Sequence, residues 1–169
     1  MTERSIIMSA ESIASILDGS KWQARRVIAP QPQPWDGWQE ESVAWNDDLV
    51  CWTLWQNVRP GKQRPIPIKC PYSTGTHLWV KETWTPAHGE PRWSSPLFMP
   101  KARARLWLAV TGVRVARLQD ITPAGLAAEG YAGQAWMFEG VWNELNAKRG
   151  YGWDSNPWVW VIEFRRIEP

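Results

Sequence analysis

The sequence predicts an α+β fold organised on a small curled sheet or barrel. Strand-like stretches outnumber helical ones. One amphipathic helix stands near the start and two more stand together before the last strand. The regular strand-helix alternation that builds a doubly wound parallel sheet is missing. A chain of 169 residues is one domain's worth and long enough to bury a core without staples. A single domain over residues 1–169 is therefore expected, with a Pro/Trp-rich loop at about 30–48.

In order, Ile6-Ile7-Met8 reads as a short buried strand. The next stretch is a helix: Ser9 suits the N-cap, Glu11 suits the positive end, Ile13, Ile16 and Leu17 form an apolar stripe, and Gly19 follows as a stop. Lys21 then opens a basic turn with Arg25 and Arg26, and Arg26-Val27-Ile28 can start a second strand. Pro30, Pro32 and Pro34 forbid regular structure after it, so the segment from Gln31 to Asp48, carrying Trp35, Trp38 and Trp45, reads as a loop or flap.

Val50 to Trp55 has strand composition, and Pro65-Ile66-Pro67-Ile68 reads as an edge or linker because proline cannot donate to a ladder. Gly75 turns into a strand over His77 to Trp84 that mixes apolar and charged positions, followed by an irregular stretch from Pro86 to Pro100. Leu106, Leu108 and Val110 alternate with their neighbours into a long strand that Gly112 kinks. Thr122 then caps a helix with Pro123 in its first position, Ile121 placed to staple to Leu126, and Gly130 as its end. Phe138, Val141, Trp142 and Leu145 recur at helical spacing in a further helix closed by Lys148, Arg149 and Gly150. Trp158, Trp160, Ile162 and Phe164 alternate with Val159, Val161, Glu163 and Arg165 as a central strand.

Composition narrows the function. A formal charge of +2 is too balanced to coat duplex nucleic acid by charge alone, so any such contact must be local. Two cysteines, no stretch of transmembrane length and a short apolar run after Met1 point to a cytoplasmic protein. Fifteen tryptophans against three tyrosines and three phenylalanines exceed what a core needs, and some are expected on a binding surface, where indole stacks on planar ligands. No phosphate-cradling glycine loop or hydrolase elbow is present. Cys51, Cys70, His77 and His88 match no zinc spacing, so neither a metal nor a cofactor is expected. The helices either side of Gly130 suit packing better than a helix-turn-helix, since the second has an apolar stripe and few basic residues.

Several runs together resemble the ASCH-domain proteins of phages and prophages. They are Ile7-Met8-Ser9, then Ile16-Leu17-Asp18-Gly19-Ser20-Lys21 to Arg25-Arg26, and Lys69-Cys70-Pro71-Tyr72 with Leu78-Trp79-Val80-Lys81-Glu82-Thr83-Trp84. Later come Val110-Thr111-Gly112-Val113, Leu118-Gln119-Asp120-Ile121, Ala128-Glu129-Gly130 and Asn156-Pro157-Trp158-Val159-Trp160. The resemblance implies a PUA-like β-barrel holding a nucleoside or single-stranded nucleic acid, RNA rather than DNA, in a cleft beside the first helix. It also implies a relation to a bacterial amidohydrolase that deacetylates acetylcytidine with a lysine, a threonine three residues later and a glutamate.

By motif position Lys21 and Glu129 match the catalytic lysine and glutamate, with Trp22, Ala24, Arg25, Arg26 and Glu82 as substrate-binding positions. Ala24 stands where that family has its nucleophilic threonine, Trp22 also stands where threonine is usual, and Thr76 stands where aspartate often follows the glycine. A threonine hydroxyl needs a base to take its proton, and alanine offers no hydroxyl. Two functions therefore compete: an amidohydrolase on an acylated cytidine, and a non-catalytic reader of modified or single-stranded nucleic acid. A protein-interaction module using the Trp-rich flap is a third.

Overall fold

Local chemistry sets the first helix. In the computed structural model, which describes residues 2–32, 43–46, 51–59, 62–68, 70–86 and 92–168, strand β1 (Glu3–Ile7) leads to helix α1 (Ala10–Leu17). The Ser9 hydroxyl accepts the Ser12 amide at 3.2 Å, Asp18 caps the other end, and Gly19 takes the left-handed conformation that releases the chain. Ile13 and Ile16 face the core, while Leu17, expected beside them, is exposed at the helix end. Ile7 is likewise exposed, because a strand turns successive side chains to opposite faces and Ile6 takes the inner one.

The basic turn is largely a strand. β2 runs Gln23–Val27, beginning three residues before the expected start. β3 (Val43–Asn46), β4 (Cys51–Arg59) and β5 (Lys62–Ile68) form a separate antiparallel sheet with β4 in the middle, so four residues of the expected flap are strand. The prolines of β5 lie on an edge, where missing donors are tolerated. Trp35, Trp38 and His88 lie outside the described residues.

β6 (His77–Lys81), β7 (Trp107–Arg117) and β8 (Trp158–Ile167) complete the main sheet, whose order is β1-β6-β7-β8-β2. β1 pairs with β6 in parallel; the other pairings are antiparallel. β7 slips register between Val110 and Gly112, the kink expected at that glycine. Helices α2 (Pro123–Ala128) and α3 (Ala135–Asn146) cross between β7 and β8. The architecture is thus α+β, with one helix near the start and two before the last strand. None of the described helices is long and apolar enough to cross a membrane.

β8 buries both faces. Trp158, Trp160, Ile162 and Phe164 pack with Ile6, Ile13, Leu78 and Leu108, whereas Val159 and Val161 pack on the other side with Leu118, Leu126, Phe138 and Trp142. Period-two alternation therefore serves two cores from one strand. In α3, Phe138 and Trp142 are buried as expected, but Leu145 is exposed, a turn beyond the core cluster. The outer strands β1 and β2 are linked by a side chain: Arg26 donates through Nη2 to the Ile7 carbonyl at 2.8 Å and through Nη1 to the Arg25 carbonyl at 2.9 Å.

Helix α2 depends on its cap. Thr122 accepts the Gly125 amide at 3.1 Å, Pro123 fills the first position, and Ile121 packs in the same cluster as Leu126. Thr122→Ala is expected to lose about 1 kcal/mol of stability by thermal or urea unfolding. No loss would mean that tertiary packing alone fixes this helix.

Candidate functional site

The end of α2 positions the site. Glu129 is the C-cap residue, its amide bonded to the Gly125 carbonyl, and Gly130 follows at φ 86°. A Cβ at Gly130 would sit 3.3 Å from the Ser15 side chain and 3.5 Å from the Lys21 Cβ, so this position needs glycine for both conformation and space. The close approach brings α1, Lys21 and α2 together: the Lys21 amide donates to Ser15, the Trp22 amide to Ala128, and Lys21 bridges Glu129 as an isolated β pair.

The side chains then meet under cover. Lys21 Nζ donates to the Glu129 Oε2 at 2.7 Å and to the Glu129 carbonyl at 2.9 Å. Arg25 Nη1 donates to Glu129 Oε1 at 3.0 Å and to Gln23 Oε1 at 2.9 Å, and Gln23 Nε2 reaches Glu163 Oε1 at 3.3 Å. Lys21, Arg25 and Glu129 are 6%, 5% and 4% exposed. Period two accounts for the grouping: Lys21, Gln23 and Arg25 project to one side, and Ala24 to the other.

Charge in this cluster is unbalanced. A carboxylate at a helix C-terminus faces the wrong end of the dipole, and the two cations reverse that penalty. Two cations against one carboxylate leave an excess positive charge. Burial lowers the pKa of Arg25, the Glu129 carboxylate opposes that shift, and Arg114 adds to it. Arg25 Nε is buried without a hydrogen-bond partner. Burial also raises the Tyr131 phenol, helped by Glu129 and Glu11, and the Tyr131 ring stands 6.0 Å from Lys21 Nζ.

A cavity of about 1290 Å³ opens over the cluster. Lys21, Arg25, Arg26, Glu82 and Glu129 all line it, with Tyr72, Trp84, Trp93 and Tyr131 as aromatic walls. Glu82 does not join the Lys21 cluster; it takes Arg105 bidentately, both contacts at 2.7 Å. Two expected positions lie elsewhere. Trp22 is half exposed and outside the lining, while Ala24, expected to turn its methyl into the pocket beside Lys21, is 1% exposed within the main core. Ala24 pairs with Ile162 on β8, and strand alternation points it away from Arg25. Gln23 and Tyr131 are additions that sequence reading missed. Their signals were a polar residue two before Arg25 and an aromatic two after Glu129.

A mixed five-stranded sheet with one helix before β2 and two before β8 makes this an α+β protein. Among solved structures, the crystal structure of an ASCH domain from Lactobacillus crispatus JV V101 is similar, with a TM-score of 0.53 over 99% of this chain and 81% of that one, at 11% sequence identity. The fold is thus that of an ASCH domain. No family model matches the sequence, and no curated protein does.

Proposed function

We propose that this chain binds a nucleoside or an unpaired nucleobase in the cavity over Lys21, Arg25 and Glu129, and reads it without transforming it. The observation that carries this reading is the buried polar floor, two cations on one carboxylate, beneath aromatic walls. Lys21 gives two N–H bonds to Glu129 and keeps one donor, and Glu129 keeps lone pairs beyond those it uses. A spare donor beside a spare acceptor complements the acceptor-donor edge of a base such as cytosine, and indole and phenol rings stack on its face. Against hydrolysis by a threonine-type nucleophile stands Ala24, which carries no hydroxyl and turns its methyl into the core rather than the cavity.

A hydrolytic reading retains one support, the direct contact of Lys21 with Glu129, through which a water could be activated on an acylated cytidine. The family resemblance further suggests an RNA rather than a DNA ligand and a phage-type relative, and the cysteine usage suggests a cytoplasmic setting. Titration of tryptophan fluorescence with cytidine and acetylcytidine tests the reading. Lys21→Met is expected to weaken binding roughly 10- to 100-fold, the worth of a hydrogen bond from a charged group. Undiminished affinity in a folded Lys21→Met protein would sink it. Brisk acetylcytidine turnover by the wild type, lost in Lys21→Met, would replace the reader by the amidohydrolase.

A further inference from the structure

Resting on that base-binding reading, we propose that the segment over residues 92–105 is a shelf for single-stranded nucleic acid, along which a strand runs on from the base held in the cavity. Size is the first ground. A volume of about 1290 Å³ exceeds the roughly 300–1,000 Å³ that encloses a drug-sized ligand, so a lone nucleoside leaves much of it empty.

Exposed aromatic surface is the second ground. Trp93 is 70%, Leu97 60% and Phe98 74% exposed, three large apolar side chains within six residues that enter no core. These residues are held out by their neighbours. Met99, between Phe98 and Pro100, is 3% exposed and takes the Glu82 amide on its sulfur, while Lys81 Nζ donates to the Leu97 carbonyl at 2.7 Å. The segment is continuous with the cavity, since Trp93, Met99, Arg103 and Arg105 belong to both.

Charge is the third ground and selects the occupant. Residues 92–119 carry six cationic side chains and no acidic one, in a chain whose formal charge is only +2. Four of the six, Arg92, Lys101, Arg103 and Arg105, lie on the shelf, and Lys101 and Arg105 meet carboxylates of Glu3 and Glu82. Aromatic faces among cations suit a strand that stacks its bases and places its phosphates beside Lys and Arg.

The test is fluorescence anisotropy with a short fluorescein-labelled single strand, a duplex of the same sequence and, in parallel, titration with free cytidine. Phe98→Ala is expected to weaken strand binding about 5- to 100-fold, and Arg92→Ala to reduce the slope of log affinity against log salt by about one. Both residues lie outside the cavity lining, so cytidine affinity stays at the wild-type value in both variants. Strand affinity and salt slope unchanged in both variants would overturn the shelf, and that is the outcome expected of a face that docks protein instead. Equal affinity for strand and duplex would also overturn it. If cytidine binds and the strand binds no tighter, the shelf falls and the base-binding reading stands; if neither binds, both fall together.

Discussion

Glu129→Leu lowers the unfolding free energy by about 3–5 kcal/mol, measured by urea unfolding with tryptophan fluorescence. The substitution leaves Lys21 and Arg25, both about nine-tenths buried or more, facing each other without the carboxylate that each bonds. Removing one member of a buried ion cluster costs far more than the cluster's net worth, since the remaining charges stay desolvated. The companion experiment separates these quantities. Replacing all three residues with apolar ones of similar volume, Lys21→Met, Arg25→Leu and Glu129→Leu together, is expected to recover most of the loss. A single-variant loss below about 1 kcal/mol would show that water reaches the cations in solution, and would remove the physical basis for a dry floor to the cavity.

Ala24→Thr is expected to destabilise by about 2–4 kcal/mol and to bring no hydrolysis of acetylcytidine. Restoring a threonine at this position is the obvious repair if the chain is a disabled amidohydrolase. The side chain, however, is packed among Ile6, Leu78, Trp160 and Ile162, with 1% exposure. Two extra heavy atoms overfill that core, at about 1–3 kcal/mol, and the hydroxyl adds the cost of a buried polar group in an apolar cluster. Thermal melts and an acetylcytidine hydrolysis assay on one preparation check both halves. A stable Ala24→Thr protein that turns over acetylcytidine would mean that β2 sits in a different register in solution.

The two outcomes trace to what local sequence encodes. Caps and alternation were legible: Ser9 and Gly19 around α1, Thr122 and Pro123 at α2, the bulge at Gly112, and the two-faced packing of β8. Each is set by residues within a few positions of each other. β2 was harder to read, because Gln23-Ala24-Arg25-Arg26 has the composition of a solvated turn. It is a strand because β8 supplies its ladder and Glu129 and Gln23 supply partners for Arg25, none of which local propensity contains. Reading those residues as a strand would have put Ala24 opposite Arg25 and in the core from the start. The pairing of Lys21 with Glu129 was expected from the family resemblance, and the contact of Arg25 with the same carboxylate was not. β3 and the parallel union of β1 with β6 were missed for a related reason: short strands are specified by their partners more than by themselves.

Lys21 and Glu129 stand 108 residues apart in sequence, yet they share both an ion pair and a backbone bridge. During synthesis the emerging chain carries Lys21 and Arg25 as ordinary hydrated cations for as long as α2 has not been made. Closing a loop of that length is entropically slow, and contacts of such separation are late events in folding. The cavity floor is therefore assembled late: until α2 docks beside α1, Lys21 and Arg25 lack the carboxylate that both bond. On the base-binding reading proposed above, competence to bind would report that α2 has docked beside α1, and a ligand on the floor would stabilise that docking with the logarithm of one plus its concentration over its Kd.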